Sequence, residues 1–582
     1  RLMHIVAGGD YGYRYRNGRK GFHPFTSWNG EIPGTLPMMA GTGEAPSGMV
    51  AYESIGLPDE YRGDLLVTSW GDHRIDRFRM VERGASFESV AEPLIQGGVN
   101  FRPVGLATAP DGSLYCTDWV LRDYKVHGRG RVWRIRRKPG RKAESSRPAI
   151  DVATVTPRRS VDELTDLVGS AHLPLRRAAA VALSGTDAGR RRLGKLISNP
   201  RTSSRSRIEV LWAIASVDPE TTDYGFLRPG GQRTRLGGGS TEVEIAVIEL
   251  IGSPQFPFDA SKRDFLRDEQ VAALLWMPDP LDRPVATPGH RARWAAASMR
   301  LLSLEAALGL LVPDDPFLMA AVLERVVRRD VAEADLLKAV RVALDRAAGD
   351  NGRRRAIRTL LALAVRKRFH DLALARRMLS GGPFDPVVSR LVVQWVAESG
   401  RKELRPEVAA ILDNPAITAD LFRTTLAALD MLDGGDPKKI DKTAPADYVL
   451  PLLTGTGRPP AVRSLALQLV DPSSASLDRK LFADLLASGD KKLVAEAVRT
   501  LGLSSHAFAS ELLLGVAGDS KRLLSERADA VAGLGRFSRS PEVAERLRQW
   551  VADPRSPLKS EALRSLQPTL STDAGSRSVV AK

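Results

Sequence analysis

The spacing of hydrophobic residues changes once along this chain, from alternation before residue 138 to helical spacing after residue 160. In the first part, apolar and polar residues alternate over short runs bounded by glycine and proline, which predicts β-strands. The runs from Asp64 to Trp70 and from Arg74 to Met80 predict one hairpin. A second hairpin is predicted around Asp111–Gly112, where glycine provides the positive φ of the turn. Such short antiparallel strands are typical of a β-sandwich or a β-propeller.

The second part has apolar residues at positions i, i+3, i+4 and i+7, which predicts amphipathic helices as far as residue 567 or so. Two of these helices have apolar stripes made of Val388, Leu391, Val392 and Trp395 in one case and of Ile208, Leu211, Trp212 and Ala215 in the other. Asp, Pro and Gly residues interrupt the pattern and predict the ends of helices. The insertion at residues 223–242 is rich in glycine and is predicted to be a loop.

A loose repeat occurs within the helical part. The segments 174–183, 460–469 and 557–566 each begin with proline, and each has small or apolar residues at the fifth and sixth positions after it. Proline fits the first turn of a helix, where its missing N–H is not needed. Helix pairs that recur every 35–45 residues or so resemble HEAT or armadillo repeats, which stack into an α-solenoid.

The charge of the chain is strongly basic but diffuse, with a formal net charge of +16 and a pI near 10.0. The densest basic run, residues 129–147, has nine Arg and Lys residues against one Glu. It is open to three interpretations: a solvated strand end and linker, a phosphate-binding patch, or a contact for an acidic protein. Because no nucleic-acid-binding motif accompanies it, we do not expect nucleic acid as a partner.

The single cysteine, Cys116, excludes an intrachain disulfide, a cysteine-based zinc cluster and a CxxCH haem attachment. The apolar runs are too short to cross a bilayer, so no transmembrane segment is predicted. Since the chain begins at Arg1 without methionine, we expect a fragment or a processed chain.

Four segments carry a resemblance to a known family, and they are residues 1–18, 47–70, 101–119 and 127–135. In this order they resemble the last part of the six-bladed propeller of soluble sugar dehydrogenases that depend on pyrroloquinoline quinone (PQQ). A propeller followed by HEAT repeats is similar to large dehydrogenases of planctomycete-type bacteria, which often carry a c-type haem domain. The resemblance implies a periplasmic or extracellular protein whose complete form binds PQQ with calcium, with a sugar as substrate and a cytochrome c domain or partner.

The resemblance assigns Arg102 as the candidate cofactor-binding residue, because arginines at this place bind the carboxylates of the quinone. Other family positions differ here: Asn100 replaces an arginine, Pro103 replaces an aspartate, and Gly71 or Asp72 replaces a lysine. No aromatic residue occurs near Gly41 to Gly43, where the family packs a tryptophan on the quinone. The histidine base belongs to a blade that this chain lacks, so no catalytic residue is assigned. As the alternative, Arg102 pairs with Asp118 or another carboxylate and is structural.

The histidines of the first part do not have the spacing of metal ligands, so no metal site is assigned to His4, His23, His73 and His127. His127 is expected to order a turn near Asp118 or Asp123. The histidines of the helical part are isolated in sequence, and none lies by a plausible nucleophile in the sequence.

The sequence thus predicts a multidomain β + α protein, a partial β-propeller followed by a HEAT/armadillo-like α-solenoid. Its predicted parts are propeller blades at 1–138, a linker at 139–160, the solenoid at 161–570 and a disordered tail at 571–582. We expect a fragment of a quinoprotein sugar or alcohol dehydrogenase-like protein that is not catalytic as this chain alone, with a protein partner bound through the solenoid. The alternative is a non-enzymatic scaffold, or a protein that binds carbohydrate or protein.

Overall fold

The fold is described from a computed structural model, in which the described residues are 1–12, 29–123, 125–138, 150–199, 201–217, 302–380, 384–435, 446–455, 457–570 and 573–580, with scattered positions between 242 and 299. The predicted insertion lies outside these residues except for Glu242. Residues 139–149 of the predicted linker and the histidine at position 23 also lie outside them.

The described strands all lie between residues 46 and 135 and form three separate antiparallel sheets. They are β1 Pro46–Ala51, β2 Leu65–Ser69, β3 Arg74–Phe78, β4 Val81–Arg83, β5 Ser86–Glu88, β6 Ala91–Gln96, β7 Pro103–Thr108, β8 Leu114–Asp118 and β9 Arg131–Ile135. One sheet has the order β1-β2-β3-β6, another is the hairpin β4-β5, and the third has the order β7-β8-β9. Within the described residues these sheets do not close into a ring.

Both predicted hairpins are confirmed. Strands β2 and β3 pair from Ser69 opposite Arg74, so the short turn between them lies where the sequence placed it. Strands β7 and β8 are joined through Gly112, whose φ of 80° is readily adopted only by glycine. Strand β9 is an outer strand of its sheet.

Tyr52 joins the two larger sheets. Its side chain is fully buried with Leu57, Leu66 and Leu114, which come from both sheets and the loop after β1. Its hydroxyl donates to the carbonyl of Gly112 at 2.9 Å and accepts from the amide of Leu57 at 2.6 Å. The buried phenol therefore has both hydrogen-bonding roles satisfied, as a polar group in a core requires.

The described helices begin at residue 161. The first eight are α1 Val161–Val168, α2 Leu173–Ser184, α3 Asp187–Ser198, α4 Ser204–Val217, α5 Leu304–Gly309, α6 Pro316–Val326, α7 Glu333–Arg346 and α8 Asn351–Ala364. The rest are α9 Leu372–Ser380, α10 Pro386–Ser399, α11 Arg405–Ala410, α12 Ala419–Leu432, α13 Ala446–Thr454, α14 Pro460–Leu467, α15 Arg479–Leu486, α16 Lys491–Leu503, α17 Ala509–Gly518, α18 Leu524–Leu534, α19 Pro541–Ala552, α20 Lys559–Leu566 and α21 Ala574–Val580. Strands before residue 136 and helices after residue 160 make this a β + α protein.

The chain forms two compact units, the first ending at Phe369 and the second beginning at His370. The first unit contains the sheets together with α1–α8. The boundary between the two units therefore follows the packing of the chain and not the change in its composition. The bounds at 138, 160 and 570 follow composition and stay predictions. Residues 574–580, in the tail predicted to be disordered, form α21.

Two contacts explain why the sheets and the first helices form one unit. Arg176 of α2 forms an ion pair with Glu53, and its guanidinium is almost fully buried. Asp315, the N-cap of α6, accepts hydrogen bonds from the amides of Phe317 and Leu318 and from Ala85 in the β4–β5 turn, the last at 2.7 Å. A buried carboxylate with all its donors in place connects the hairpin to the helix.

The predicted stripe of α10 is confirmed, since Val388, Leu391, Val392 and Trp395 are all buried. Asp385 caps this helix by accepting from the first free amides, and Gly400 ends it in the left-handed conformation at φ 66°.

The predicted stripe of α4 is confirmed for Leu211, which is buried, and for Ile208 and Ala215, which pack against the same core, but it is wrong for Trp212, which is 45% exposed. The buried apolar positions are Val210, Leu211, Ala213 and Ile214. Helix α4 packs against both α2 and α3, so its buried face is wider than a single stripe and is rotated toward these positions.

The prolines of the loose repeat lie at the beginnings of helices. Pro174 occupies the first turn of α2 and Pro460 the first position of α14, whereas Pro557 precedes α20 by two residues. In the second unit the even-numbered helices from α10 to α20 pack side by side, and each also packs on the helix before it.

None of the described helices is both long and apolar enough to span a bilayer.

Candidate functional site

Arg102 is buried, with 8% of its surface exposed, at the start of the β7 edge of the third sheet. Its guanidinium stacks on the ring of Trp70, with 4.3 Å between the guanidinium carbon and the ring centroid. One amino group donates to the Trp70 carbonyl at 3.3 Å. The side chain is thus held by a cation–π contact with the end of β2, a stronger interaction when desolvated than at the surface.

Asp118 is the carboxylate that organises this region, and its side chain is fully buried. It accepts from the backbone amides of Arg102 and Val120 at 2.8 and 2.9 Å. It also accepts from the Trp133 indole at 2.9 Å and forms an ion pair with Arg131 at 2.9 Å. The predicted pairing of Arg102 with Asp118 therefore occurs through the backbone of Arg102, while the guanidinium of Arg131 provides the countercharge.

The pKa of the Asp118 carboxyl reflects this arrangement. Burial alone would raise the pKa, but the hydrogen bonds from Trp133, Arg102 and Val120 and the charge of Arg131 hold it below its usual value. Asp118 is therefore ionised at neutral pH and acts as the fixed acceptor around which the loop after β8 is built.

The surroundings of Arg102 do not fit the quinone that the resemblance implies. One face of the guanidinium is covered by Trp70, and Asp118 lies directly beside the backbone of Arg102. The hydrogen bonds from Ser69 and from the amide of Glu44 lower the pKa of the Asp72 carboxyl, so this residue, in the place of the family's lysine, is negatively charged. A negative charge at Asp72, where the family has a cation, and the buried carboxylate of Asp118 at the Arg102 backbone both disfavour a ligand that itself carries carboxylates.

Three of the histidines to which the sequence analysis assigned no metal site have local hydrogen-bond partners in the structure. His73 contacts the Phe101 carbonyl through Nδ1 at 3.0 Å, and His4 contacts the Ser86 hydroxyl at the same distance. His127 accepts from the amide of Arg129 at 3.0 Å, which orders the turn before β9. Among the described residues, no group of three or more His, Cys, Asp or Glu side chains could hold a metal ion.

A histidine that is isolated in the sequence is paired in the structure. His172, at the N-terminus of α2, lies with Nδ1 at 2.9 Å from the hydroxyl of Ser54. Both side chains are buried, Ser54 completely and His172 with 4% exposed. Because no substrate can reach the hydroxyl, this pair stabilises the packing of the sheets on α2 and is not a nucleophile with its base. The two residues are 118 positions apart, so no sequence pattern could have brought them together.

This pair predicts a loss of stability in mild acid. Burial, and then the charge of Arg176, lower the pKa of His172 in the folded protein. The unfolded chain has the ordinary pKa of about 6.5 and binds the proton first. The free energy of unfolding should therefore fall as the pH drops below about 6.5, by at most about 1.4 kcal/mol per pH unit for this one group.

The measurement is the urea midpoint of the full chain at pH 7.5, 6.5 and 5.5, compared with that of His172→Gln. The variant should be less stable at pH 7.5 but lose less stability between pH 6.5 and 5.5. His4, whose pKa is also lowered by burial, contributes the same sign in both proteins. Equal pH dependence in the two proteins would contradict the assignment.

A large groove lies on the helices of the second unit. It has a volume of about 1310 Å³ and is formed by α14, α16 and α18, with the start of α12 at one side. We call it the α16 groove, and its lining residues on these three helices are Ala461, Ser464, Leu465, Gln468, Lys491, Lys492, Ala495, Glu496, Val498, Arg499, Gly502, Leu503, Asp529, Ala532 and Gly533. From the sequence we expected a binding surface on the helical part, but none of these residues was among the candidate site residues.

Four small residues line the groove where α16 and α18 approach each other, and we call them the floor of the α16 groove: Ala495, Gly502, Ala532 and Gly533. A Cβ atom on Gly502 would lie only 2.8 Å from the Cα of Gly533, so α16 and α18 meet through two glycines. Because these residues have small side chains or none, a bound backbone can approach the helices closely at the floor.

Comparisons with known proteins assign no family to this chain. No family model and no curated protein matches the chain. Among solved structures, human deoxyhypusine hydroxylase in complex with glycerol matches with 17% identity over 47% of this chain and 96% of that chain, at a TM-score of 0.19. An engineered protein from a structural genomics consortium matches with 15% identity over 71% of this chain and 99% of that chain, at a TM-score of 0.22. Scores this low support no conclusion about fold or function.

Proposed function

We propose that this chain is a non-enzymatic, protein-binding scaffold that uses the α16 groove to hold a polypeptide segment of a partner. The observation that carries the proposal is the groove itself, about 1310 Å³ in volume. Sites for small molecules usually enclose about 300–1,000 Å³ and bury most of the ligand. A wide groove across three helices with a floor of alanine and glycine suits a polypeptide better.

The packing of the second unit supports the finer proposal of a HEAT-like α-solenoid. The even-numbered helices from α10 to α20 lie in one row, and the odd-numbered helices pack on them one by one. Solenoids of this type use an extended row of helices as a binding surface. The α16 groove lies along such a row.

For the sheets, we propose an origin in the propeller of quinoprotein sugar dehydrogenases, and a periplasmic or extracellular location goes with that origin. The order of the four similar segments and their antiparallel hairpins support it. We propose no catalytic step for this chain, because Trp70 covers one face of the Arg102 guanidinium and Asp118 lies at the Arg102 backbone amide.

A titration with PQQ in the presence of calcium tests this last point. Trp70 stacks on Arg102, so a quinone bound there would quench tryptophan fluorescence in a saturable manner. We expect the same weak, non-saturating quenching for the full chain and for Arg102→Met. If the wild type shows saturable quenching and Arg102→Met abolishes it, Arg102 binds the cofactor and the proposal is wrong on this point.

Selection of a displayed random-peptide library on the full chain tests the scaffold proposal. The groove is filled by Ala532→Trp, since Ala532 is exposed on its floor and the change leaves the core intact. The matched control is Ala483→Trp on α15, which is also exposed but lies outside the groove. We expect selected peptides to bind the wild type and Ala483→Trp equally and to lose at least tenfold in affinity for Ala532→Trp.

Two results would contradict the scaffold proposal. One is a selection that enriches no peptide, and the other is a set of peptides that bind the filled and unfilled proteins equally.

A further inference from the structure

The cations of the α16 groove lie at both ends of the central helix. Lys491 and Lys492 are its first two residues, and both are exposed. Arg499 and Arg536 lie toward its other end, where Arg536 donates to the carbonyl of Leu503 at 2.6 Å. A helix of this length, at about 1.5 Å per residue, separates the two groups by roughly 20 Å.

The carboxylates of the same groove are mostly occupied. Asp490 is the N-cap of α16 and accepts from the amides of Lys492 and Leu493 at 3.0 and 2.9 Å. Glu496 accepts from Gln468 at 3.0 Å and from the guanidinium of Arg499 at 2.8 Å.

The lining has four cations and three carboxylates, a net charge of +1, because Asp490 keeps its negative charge while it accepts from backbone amides. In the described part of the chain, no carboxylate forms an ion pair with Lys491, Lys492 or Arg536. The positive end of the helix dipole of α16 adds to the field of the two lysines. The groove is therefore electropositive, and charge complementarity across an interface favours an acidic partner.

The dimensions favour an extended segment as the occupant. The two groups of cations lie roughly 20 Å apart along α16, so a segment that reaches both must run along this helix. An extended chain rises about 3.3 Å per residue, and six residues or so cover that distance. The small side chains of the floor let such a segment lie close to the helices, with its carboxylates directed to the cations at the rim.

We infer that the α16 groove binds an extended, acidic segment of a partner protein, with glutamate or aspartate side chains paired to Lys491 and Lys492 and to Arg536. The inference rests on the proposed scaffold function and adds the chemistry of the partner. Binding weakens with ionic strength, because the pairs at the rim are exposed to solvent.

The chain offers a closely matched control for the lysines. Helix α15 also begins with an aspartate N-cap followed by two basic residues, Arg479 and Lys480. Lys480 is exposed at the same helix position as Lys492, but it does not line the groove. Lys492→Glu and Lys480→Glu therefore change the net charge and the first turn of a helix in the same way. Only Lys492→Glu changes a residue that lines the groove.

The experiment measures fluorescence anisotropy of two labelled twelve-residue peptides, one built of Glu, Ala and Leu and the other with every Glu replaced by Gln. We expect the full chain to bind the Glu peptide at least tenfold more tightly than the Gln peptide. Lys492→Glu should weaken binding of the Glu peptide at least fivefold, Lys491→Glu/Lys492→Glu still more, and Lys480→Glu less than twofold. Circular dichroism verifies that each variant is folded.

Several outcomes would overturn the inference. They are equal binding of the two peptides, equal effects of Lys492→Glu and Lys480→Glu, and tighter binding of a single-stranded oligonucleotide at the same lysines. If neutral peptides from the library selection still bind in an Ala532-dependent manner, the scaffold function stands and only the acidic partner is wrong. If no peptide binds in the groove, both proposals fail.

Discussion

Replacing Asp118 with alanine should cost the first unit on the order of 4 kcal/mol of unfolding free energy. The carboxylate is fully buried, and its loss leaves the amides of Arg102 and Val120 and the indole of Trp133 without their acceptor. It also removes the countercharge of Arg131. Val120, a β-branched residue at φ 74°, loses the hydrogen bond that holds it in this strained conformation.

Urea unfolding of the full chain, followed by the fluorescence of the tryptophans, measures this effect. Glu88→Ala is the control, because Glu88 pairs with Arg83 between exposed side chains on the β4–β5 hairpin. Such surface pairs contribute roughly 0–1 kcal/mol. A loss for Asp118→Ala no greater than that for Glu88→Ala would show that Asp118 does not organise the region.

Replacing Gly502 with leucine should destabilise the second unit by about 2 kcal/mol, since overpacking usually costs roughly 1–3 kcal/mol. The new side chain would meet the backbone of Gly533, which cannot move without separating α16 from α18. The same separation would widen the floor of the α16 groove.

Gly515→Leu is the matched control for this change. Gly515 is an exposed glycine in α17, and a Cβ atom there meets nothing within 4 Å. Removing a glycine from a helix interior at such a site should raise stability by about 0.5–1 kcal/mol. Opposite signs for the two variants are therefore expected in urea unfolding, and equal signs would contradict the close contact of the two helices.

The elements that the sequence predicted well depend on residues close together in the chain. The β2–β3 hairpin follows from alternation on either side of a short turn, and α10 follows from one apolar stripe. The stripe of α4 was misplaced at Trp212 because two neighbours, α2 and α3, cover that helix. Hydrophobic spacing indicates that a helix has a buried face, but the number and position of its neighbours decide how wide that face is.

The candidate site shows the same limit more strongly. The sequence placed Arg102 at the start of a strand and offered Asp118 as its partner. The structure connects Asp118 to the backbone of Arg102 and stacks the guanidinium on Trp70, which directly follows β2 of another sheet. No local pattern distinguishes these arrangements, because they differ only in which distant side chain fills the space above the arginine.

By itself the sequence determined the change from strands to helices, the two hairpins, and the helix beginning marked by Pro460, since backbone preferences act between near neighbours in the chain. Only the tertiary structure decided that Ser54 meets His172, that Arg102 is covered, and that Gly502 meets Gly533 to form the floor of the α16 groove. Burial, ion pairing and groove shape arise where segments far apart in sequence pack together, and the energy of that packing is not encoded in any one segment.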